Sequence, residues 1–421
     1  MSEPIRVLHF ADVHVGVENY GKTDAATGIS SRVLDFLRRM DEMVDYALAE
    51  GVDLVVFAGD AFRNSSPSPT YQREFAHRIR DLAALAPVVL LEGNHDIQAQ
   101  RSKASSIEIY QVLDVPNVIL ANEIGVQTID TARGRVVIGT FPYPQRARLV
   151  ETLIPAEKRL GASLTQIDEF LRHAVADSLQ DLAAQADDLA QDAPRLLTGH
   201  FSVEGATLGS ERSLMLGREM IVPLGLVADP RWDYVALGHI HKHQNLTARH
   251  DNAPPVVYSG SLERIDFGEA HEREKGFCWV ELARQATRWR FVPVQTRPMI
   301  ELRLDLREAP NPLREVRQAI GQRDLRQAIV KLILDLRPQN DAALSDAEVR
   351  EALRRAEAYH VAAIERRVER PERTRLGSSP EGLSDVELLE RYLLSANVPA
   401  ARRAELLSLA QAILTQDAQR L

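Results

Sequence analysis

Residues 86–96 read APVVLLEGNHD. The apolar run is short, bounded by Pro87 and Gly93 and rich in β-branched residues, so it reads as a buried strand rather than a helix. Directly after it, an amide, an imidazole and a carboxylate stand side by side at the first exposed turn. Two earlier stretches end in the same manner. IRVLHFA, from residue 5, runs into Asp12 and His14, and DLVVFAG, from residue 53, runs into Asp60. Apolar-periodic segments from about Ser31 to Ala49 and from about Tyr71 to Leu85 lie between them, which predicts β-α-β-α-β with the strands in one sheet and the helices outside.

Downstream, VVIGTF, RLLTGH, DYVALGH, PPVVYSGS and FCWVELA read as further central strands of a layered α/β domain. Among them Ser163 opens a long helix in capping-box spacing with Gln166. Its Leu164, Ile167, Leu171, Val175, Leu179 and Leu182 recur at helical spacing and mark it as scaffold. Around residue 298 the texture changes. MIELRLDL, PLREVRQAIGQ, AIVKLILDL, DAEVREALRRAEA and HVAAIERRV predict a second, smaller and Arg-rich β-α-β-α-β unit. A Pro/Gly/Ser linker from Arg370 comes next. Beyond it Ser384 and Glu387 stand in capping-box spacing and open two short amphipathic helices, broken at Asn397-Val398-Pro399. A hairpin that short buries little by itself, so it docks on its own protein or on a partner.

The strand ends supply the chemistry. In order they are Asp12 and His14, Asp60, Asn94 and His95, His200, then His239 and His241. The carboxyl ends of strands in an α/β sheet line the ligand crevice, so groups this far apart in sequence can form one site. Two carboxylates, an amide oxygen and several imidazoles, without thiolate, suit first-row divalent ions and exceed the needs of one four-coordinate ion. Two ions sharing one carboxylate fit better, and Asp60, alone in its loop, is the expected bridge. In D-x-H and H-x-H, an extended backbone aims both side chains the same way, towards one ion. Two adjacent ions polarise a phosphoryl group and acidify a shared water, which points to metal-assisted phosphoester hydrolysis. His95 is expected to turn away from the ion held by Asn94 and to protonate the leaving oxygen. Asp96 either orients that ring or caps the following turn. His9, His77, His173, His243, His250, His271 and His360 lack this context and read as surface or core residues.

Composition sets the outer limits. With 421 residues, 45% of them hydrophobic, the chain accommodates two or three domains. No apolar stretch approaches the roughly 20 residues that span a bilayer, and the start shows no signal-peptide pattern, so a cytoplasmic protein without a membrane partner is expected. A single cysteine, Cys278, excludes an internal disulfide and a cysteine cluster and reads as a core residue. The net charge of -9 argues against coating nucleic acid by bulk charge while leaving a local basic face open.

The ordered set D-x-H, GD, GNHD, GH and GHxH resembles the signature of the calcineurin-like metallophosphoesterases. HFADVHVG, GHFSVEGA and GHIHKHQ followed by YSGSLERIDF resemble its SbcD nuclease branch, bacterial relatives of the nuclease in the MRN complex. The resemblance covers nearly the whole chain. It implies a two-layered β-sandwich core flanked by helices (residues 1–297), a small α/β capping, DNA-binding domain (298–376) and a C-terminal helical hairpin (382–421). One ion would take Asp12, His14, Asp60 and His241, the other Asp60, Asn94, His200 and His239, with manganese the implied metal and His95 the acid. It further implies a homodimer within a heterotetramer with an SbcC-type ABC ATPase, the hairpin receiving that partner through Leu388, Leu389, Tyr392 and Leu393 and through Leu406, Leu409 and Ile413. The implied activities are double-strand exonuclease from the 3′ side and endonuclease on single strands or hairpins. Arg354, Arg355, Arg366, Arg367 and Arg370 are candidate phosphate contacts, or else members of a salt-bridged surface. Some relatives carry a His three residues after the bridging Asp; Arg63 stands there and is a candidate phosphate ligand. The competing readings are a general phosphodiesterase or phosphatase acting on small or protein substrates, and a scaffold with a weakened site that binds DNA and SbcC.

Overall fold

The computed structural model describes residues 3–98, 103–189, 192–209, 220–272, 274–369 and 383–417. Two six-stranded sheets form the core. In the first, Ile5–Phe10, Leu54–Phe57, Val88–Leu91 and Val118–Ala121 run parallel, and Lys275–Leu282 returns antiparallel against Ile5–Phe10. In the second, Gly134–Phe141, Arg195–His200, Tyr234–Gly238 and Val256–Tyr258 run parallel, with short antiparallel strands at both edges.

The period-2 alternation of the strands builds a sandwich. Val7, Leu54, Val56 and Val89 of the first sheet pack with Ile138, Leu196, Ala236 and Val257 of the second, and Cys278 is buried in that layer. Leu8, Val55, Phe57 and Val88 point outward instead. They pack with Val33, Leu37, Met40, Met43 and Ala47 of helix Ser31–Glu50 and with Phe75, Ile79 and Leu82 of helix Pro69–Ala83. On the other side, Ile167, Leu171, Val175, Leu179 and Leu182 of helix Leu164–Leu189 cover the second sheet. Its expected capping box is present: the Ser163 amide donates to Gln166 Oε1 at 2.8 Å and the Gln166 amide to Ser163 Oγ at 3.3 Å.

Three of the longer strands were not anticipated. Val118–Ala121 pairs beside Val88–Leu91, Gly125–Thr131 pairs as a hairpin with Gly134–Phe141, and Arg288–Val294 forms the edge beyond Lys275–Leu282. The last contains Pro293, which argues against a central strand but is tolerated at an edge, where one row of amides needs no partner.

The chain divides into two compact units, one of Met1–Leu302, Ile320–Leu332 and Arg350–Ile364, the other of Arg303–Ala319, Ile333–Val349 and Glu365–Leu421. Met299–Asp305, Ile329–Leu336 and His360–Val368 form a three-stranded sheet with Ile329–Leu336 at its centre, and helices Pro312–Gly321 and Asp346–Arg355 fall between the strands in sequence. Within the second unit, helices Asp385–Ser395 and Ala400–Asp417 make a hairpin whose turn places Asn397 at φ 54°. The Ser384–Glu387 capping box is formed. Leu393 is buried, whereas Tyr392, Leu409 and Ile413 are exposed and Leu388, Leu389 and Leu406 half-buried. No helix among the described residues is long and apolar enough to cross a membrane.

Candidate metal centre

Five loops that leave the carboxyl ends of parallel strands meet at one edge of the sandwich. Asp12 follows Ile5–Phe10, Asp60 follows Leu54–Phe57, Asn94 and His95 follow Val88–Leu91, His200 ends Arg195–His200, and His239 and His241 follow Tyr234–Gly238. The backbone that delivers them is not extended. Asp12, His14, Asp60 and His239 lie at φ 52°, 48°, 64° and 92°, in the left-handed region that non-glycine residues avoid at a cost of about 1–3 kcal/mol each. Hydrogen bonds hold this strain: the Asp12 amide donates to Gly59 O at 3.0 Å, the His14 amide to Asp60 O at 3.1 Å, and the His239 amide to the Asp12 carboxylate at 3.0 and 3.1 Å. Close approach also demands glycine, because a Cβ at Gly93 would collide with the Asp60 carboxylate and amide.

The side chains converge in two groups joined by Asp60. In one, His14 Nε2 lies 3.0 Å from His241 Nε2 and 3.6 Å from Asp60 Oδ2, with Asp12 in reach of His14 and His241. In the other, His200 Nε2 lies 3.1 Å from Asn94 Oδ1 and 3.4 Å from Asp60 Oδ2, and His239 Nδ1 lies 3.0 Å from the same Asn94 oxygen. The expectation that H-x-H aims both imidazoles at one ion is therefore corrected. With His239 at φ 92° the segment is not extended, and the two rings fall into different groups.

The chemistry of these contacts fits metal ions. Nδ1–H of His200 donates to Ala58 O at 2.7 Å, so in the neutral ring Nε2 turns a lone pair towards the Asn94 and Asp60 oxygens. Acceptors aimed at one another call for a cation or a shared proton. Burial opposes charge on His200, yet the Asp60 carboxylate outweighs it and raises this imidazole to about 9. Burial likewise opposes charge on Asp60, but His200, His14 and His95 hold it well below the usual carboxylate range. For Asp12 burial wins and its pKa is raised, while burial lowers His14 well below the ordinary histidine value. The seven side chains would hold the two ions of a dinuclear centre.

The His95 ring packs beside His14, and its amide donates to Asp60 Oδ1 at 2.8 Å. The ring stands edge-on to His14, with 4.8 Å between centroids, and Nδ1–H donates to Arg63 O at 2.6 Å. One nitrogen of His95 also comes within ligand distance of the His14 and Asp60 atoms. Asp96 does not orient this ring. Its carboxylate accepts from the amides of Asp60, Ala61 and Gly93 at 2.9, 3.0 and 3.0 Å, so it braces the loop of Asp60, and the Arg63 carbonyl has the role expected of it. The Arg63 guanidinium donates to Asn19 Oδ1 at 3.2 Å.

The arginines expected at phosphates are engaged with carboxylates. Arg354 and Arg355 pair with Glu351 at 2.7 and 2.8 Å, Arg366 with Asp341 at 2.8 Å, and Arg367 with Glu365 at 2.7 Å. Arg370 lies outside the described residues. Sequence reasoning missed two residues at the centre. Tyr143, just past Gly134–Phe141, sets its ring 5.8 Å from that of His239. Glu269 accepts from His241 Nδ1 at 2.9 Å. Neither carries a local signal, and the YSGSLERIDF stretch stops just short of Glu269.

The family of calcineurin-like phosphoesterases matches residues 5–243. The chain is 28% identical over 271 residues to the SbcD subunit of the SbcCD nuclease of Bacillus subtilis, covering 63% of each chain and thus under two thirds of that relative. It is 27% identical over 401 residues to the SbcD subunit of the SbcCD nuclease of Escherichia coli K12, covering 92% of each. It is 24% identical over 336 residues to the DNA double-strand break repair protein Mre11 of Archaeoglobus fulgidus, covering 76% of this chain and 66% of the other. With more than half its length in the family match and the donor set in place, the chain belongs to the calcineurin-like phosphoesterases, metal-dependent hydrolases with a dinuclear centre.

Proposed function

We propose that this phosphoesterase is the nuclease subunit of an SbcCD-like DNA repair complex in the cytoplasm, hydrolysing DNA phosphodiester bonds with two Mn²⁺ ions. The observation that carries the reading is the convergence of Asp12, His14, Asp60, Asn94, His200, His239 and His241 beside the imidazole of His95, whose Nδ1 is held by the Arg63 carbonyl. Asp12, His14, Asp60 and His241 would hold one ion and Asp60, Asn94, His200 and His239 the other. When bound, such ions supply charge neutralisation at the phosphoryl oxygens and a water acidified into the neutral range. The protein's own part is positioning and proton transfer. In the protonated His95 ring, Nδ1–H stays on the Arg63 carbonyl while Nε2–H protonates the leaving oxygen. Asp96, through three backbone amides, keeps Asp60 and the GNHD turn in register.

Residues 298–376 act as the capping domain in this proposal. Arg354 and Arg355 are exposed, and exposed ion pairs are worth only about 0–1 kcal/mol, so DNA phosphates compete with Glu351 for them at little cost. The hairpin of residues 382–421 presents Tyr392, Leu409 and Ile413 to an SbcC-type ATPase, and two copies of the chain make the nuclease dimer. Relatives named as SbcD subunits of SbcCD nucleases support the pairing. Exonuclease action from the 3′ side and endonuclease action on single strands or hairpins complete the proposed activity.

The test incubates the purified protein with manganese and a linear duplex, with bis(p-nitrophenyl) phosphate alongside and Asp60→Ala as control. Cleavage of DNA that disappears in Asp60→Ala is the expected outcome. Turnover of the small diester without DNA cleavage, with the ATPase partner present as well, sinks the nuclease reading in favour of a general phosphodiesterase.

A further inference from the structure

Glu269 sits in a short 3-10 turn, fully buried, 28 residues after the histidine it touches. An acid in such a place is normally paired, and this one is: Lys275 Nζ lies 2.8 Å from Oε2, and Ser261 Oγ and the Ile265 amide donate to the same oxygen at 3.4 and 3.1 Å. Those contacts all fall on Oε2. The other oxygen, Oε1, accepts from His241 Nδ1 at 2.9 Å. Lys275 is itself buried and also donates to the His241 carbonyl oxygen at 3.0 Å, and the Ser261 amide donates to that same carbonyl at 3.0 Å. His241 is thus gripped twice, at its ring through Glu269 and at its backbone through Lys275 and Ser261.

The grip sets the chemistry of the opposite ring nitrogen. An ionised carboxylate accepts only, so Nδ1 carries the proton and Nε2 carries the lone pair, which faces His14 Nε2 at 3.0 Å. The buried Lys275 ammonium, 2.8 Å from Oε2, makes the carboxylate one half of an ion pair and leaves Oε1 to accept from the ring. We propose that Glu269 is a positioning residue of the metal centre, fixing the tautomer and rotamer of His241, with Lys275 and Ser261 locking the carboxylate and the His241 backbone into one unit. The inference rests on the metal reading of the site, and it predicts an effect on ion uptake that is measured without DNA.

The experiment titrates Mn²⁺ into the full chain by calorimetry and follows thermal unfolding in parallel. Glu269→Gln removes the charge at constant size. Glu269→Asp keeps the charge, protecting the fold, but withdraws it from Nδ1 by one methylene. Asp233→Asn serves as a structural control. It breaks buried bonds to the Arg195 and Gln285 amides at 2.8 and 2.7 Å, at the far end of the strand that leads to His239. The expected result is that Glu269→Gln weakens Mn²⁺ binding by roughly 10–100-fold, with Glu269→Asp intermediate. Asp233→Asn lowers the melting temperature and leaves the affinity at the wild-type value. Folded Glu269→Gln and Glu269→Asp proteins that bind Mn²⁺ as tightly as wild type overturn the inference alone. Asp233→Asn weakening uptake as much as Glu269→Gln overturns it as well, since destabilisation then suffices. A wild type that takes up no Mn²⁺ overturns the metal reading together with this inference.

Discussion

The crevice and the C-terminal hairpin were both expected to carry function, and they are built on opposite terms. In the crevice Asp12, Asp60, His200 and His14 are almost wholly buried, and four residues hold left-handed backbone. In the hairpin, Tyr392, Leu409 and Ile413 lie open on regular helix, held by a capping box and by packing around Leu393. Chemistry on a phosphoryl group requires donors placed to a fraction of an ångström, which only an over-determined frame provides. Capture of a partner groove requires an apolar stripe at helical spacing, which many sequences satisfy.

Four measurements strain this contrast. Asp60→Ala, which removes the group common to both halves of the centre, is expected to abolish phosphodiester turnover and to leave less than the full complement of bound Mn²⁺. His95→Ala is expected to keep both ions while turnover falls by roughly 10²–10⁴-fold. A loss of ions in that variant, measured by calorimetry, would make His95 a ligand, which its proximity to His14 and Asp60 allows.

His9 tests whether the rigid crevice depends on support from beneath. It lies between the sheets, accepting from Tyr234 O–H at 3.1 Å and donating to Leu237 O at 3.3 Å, and burial pushes its pKa down to about 3. An unfolded histidine titrates near 6.5, so the unfolded chain takes up the proton first. The stability His9 contributes is complete above about pH 6.5 and is lost as pH falls from there towards 3, on the order of a few kcal/mol over the window. His9→Gln should shrink the fall in denaturant midpoint between pH 7 and pH 4 while sparing turnover at neutral pH. An unchanged pH profile would assign the acid sensitivity to other groups. The smallest effect on turnover belongs to removal of residues 382–421, which should leave manganese-dependent hydrolysis intact and eliminate capture of an SbcC-type ATPase in a pull-down. Hydrolysis lost with the tail would merge the two regions the contrast separates.

The legibility of the molecule follows the same division. Short apolar runs ending in a polar residue, after a glycine in all but the first, announced the strands at 5, 54, 88, 195 and 234, because a strand buried on both faces leaves no other pattern. The donors stood at those ends, readable by order alone. What the sequence hid was direction and support. Nothing in D-x-H shows that Asp12 and His14 adopt left-handed backbone, since that conformation is imposed by Gly59 O, Asp60 O and the His239 amide from elsewhere in the chain. Asp96 was legible as a candidate, but its partners, three amides around Asp60, were not. Glu269 was illegible for the same reason: a buried acid acts through what tertiary folding sets against it. The edge strand Arg288–Val294 was passed over because Pro293 and its charged residues mimic a loop.

The 227 residues that separate His14 from His241 also bear on synthesis. At about 5–20 residues per second, a ribosome needs roughly ten seconds to most of a minute between making the first donor and the last. Throughout that interval the emerging chain holds Asp12, His14 and Asp60 without the histidines that complete either half. Until His241 emerges the nascent chain therefore lacks a full set of donors, and the centre closes only once the second sheet has packed over the first.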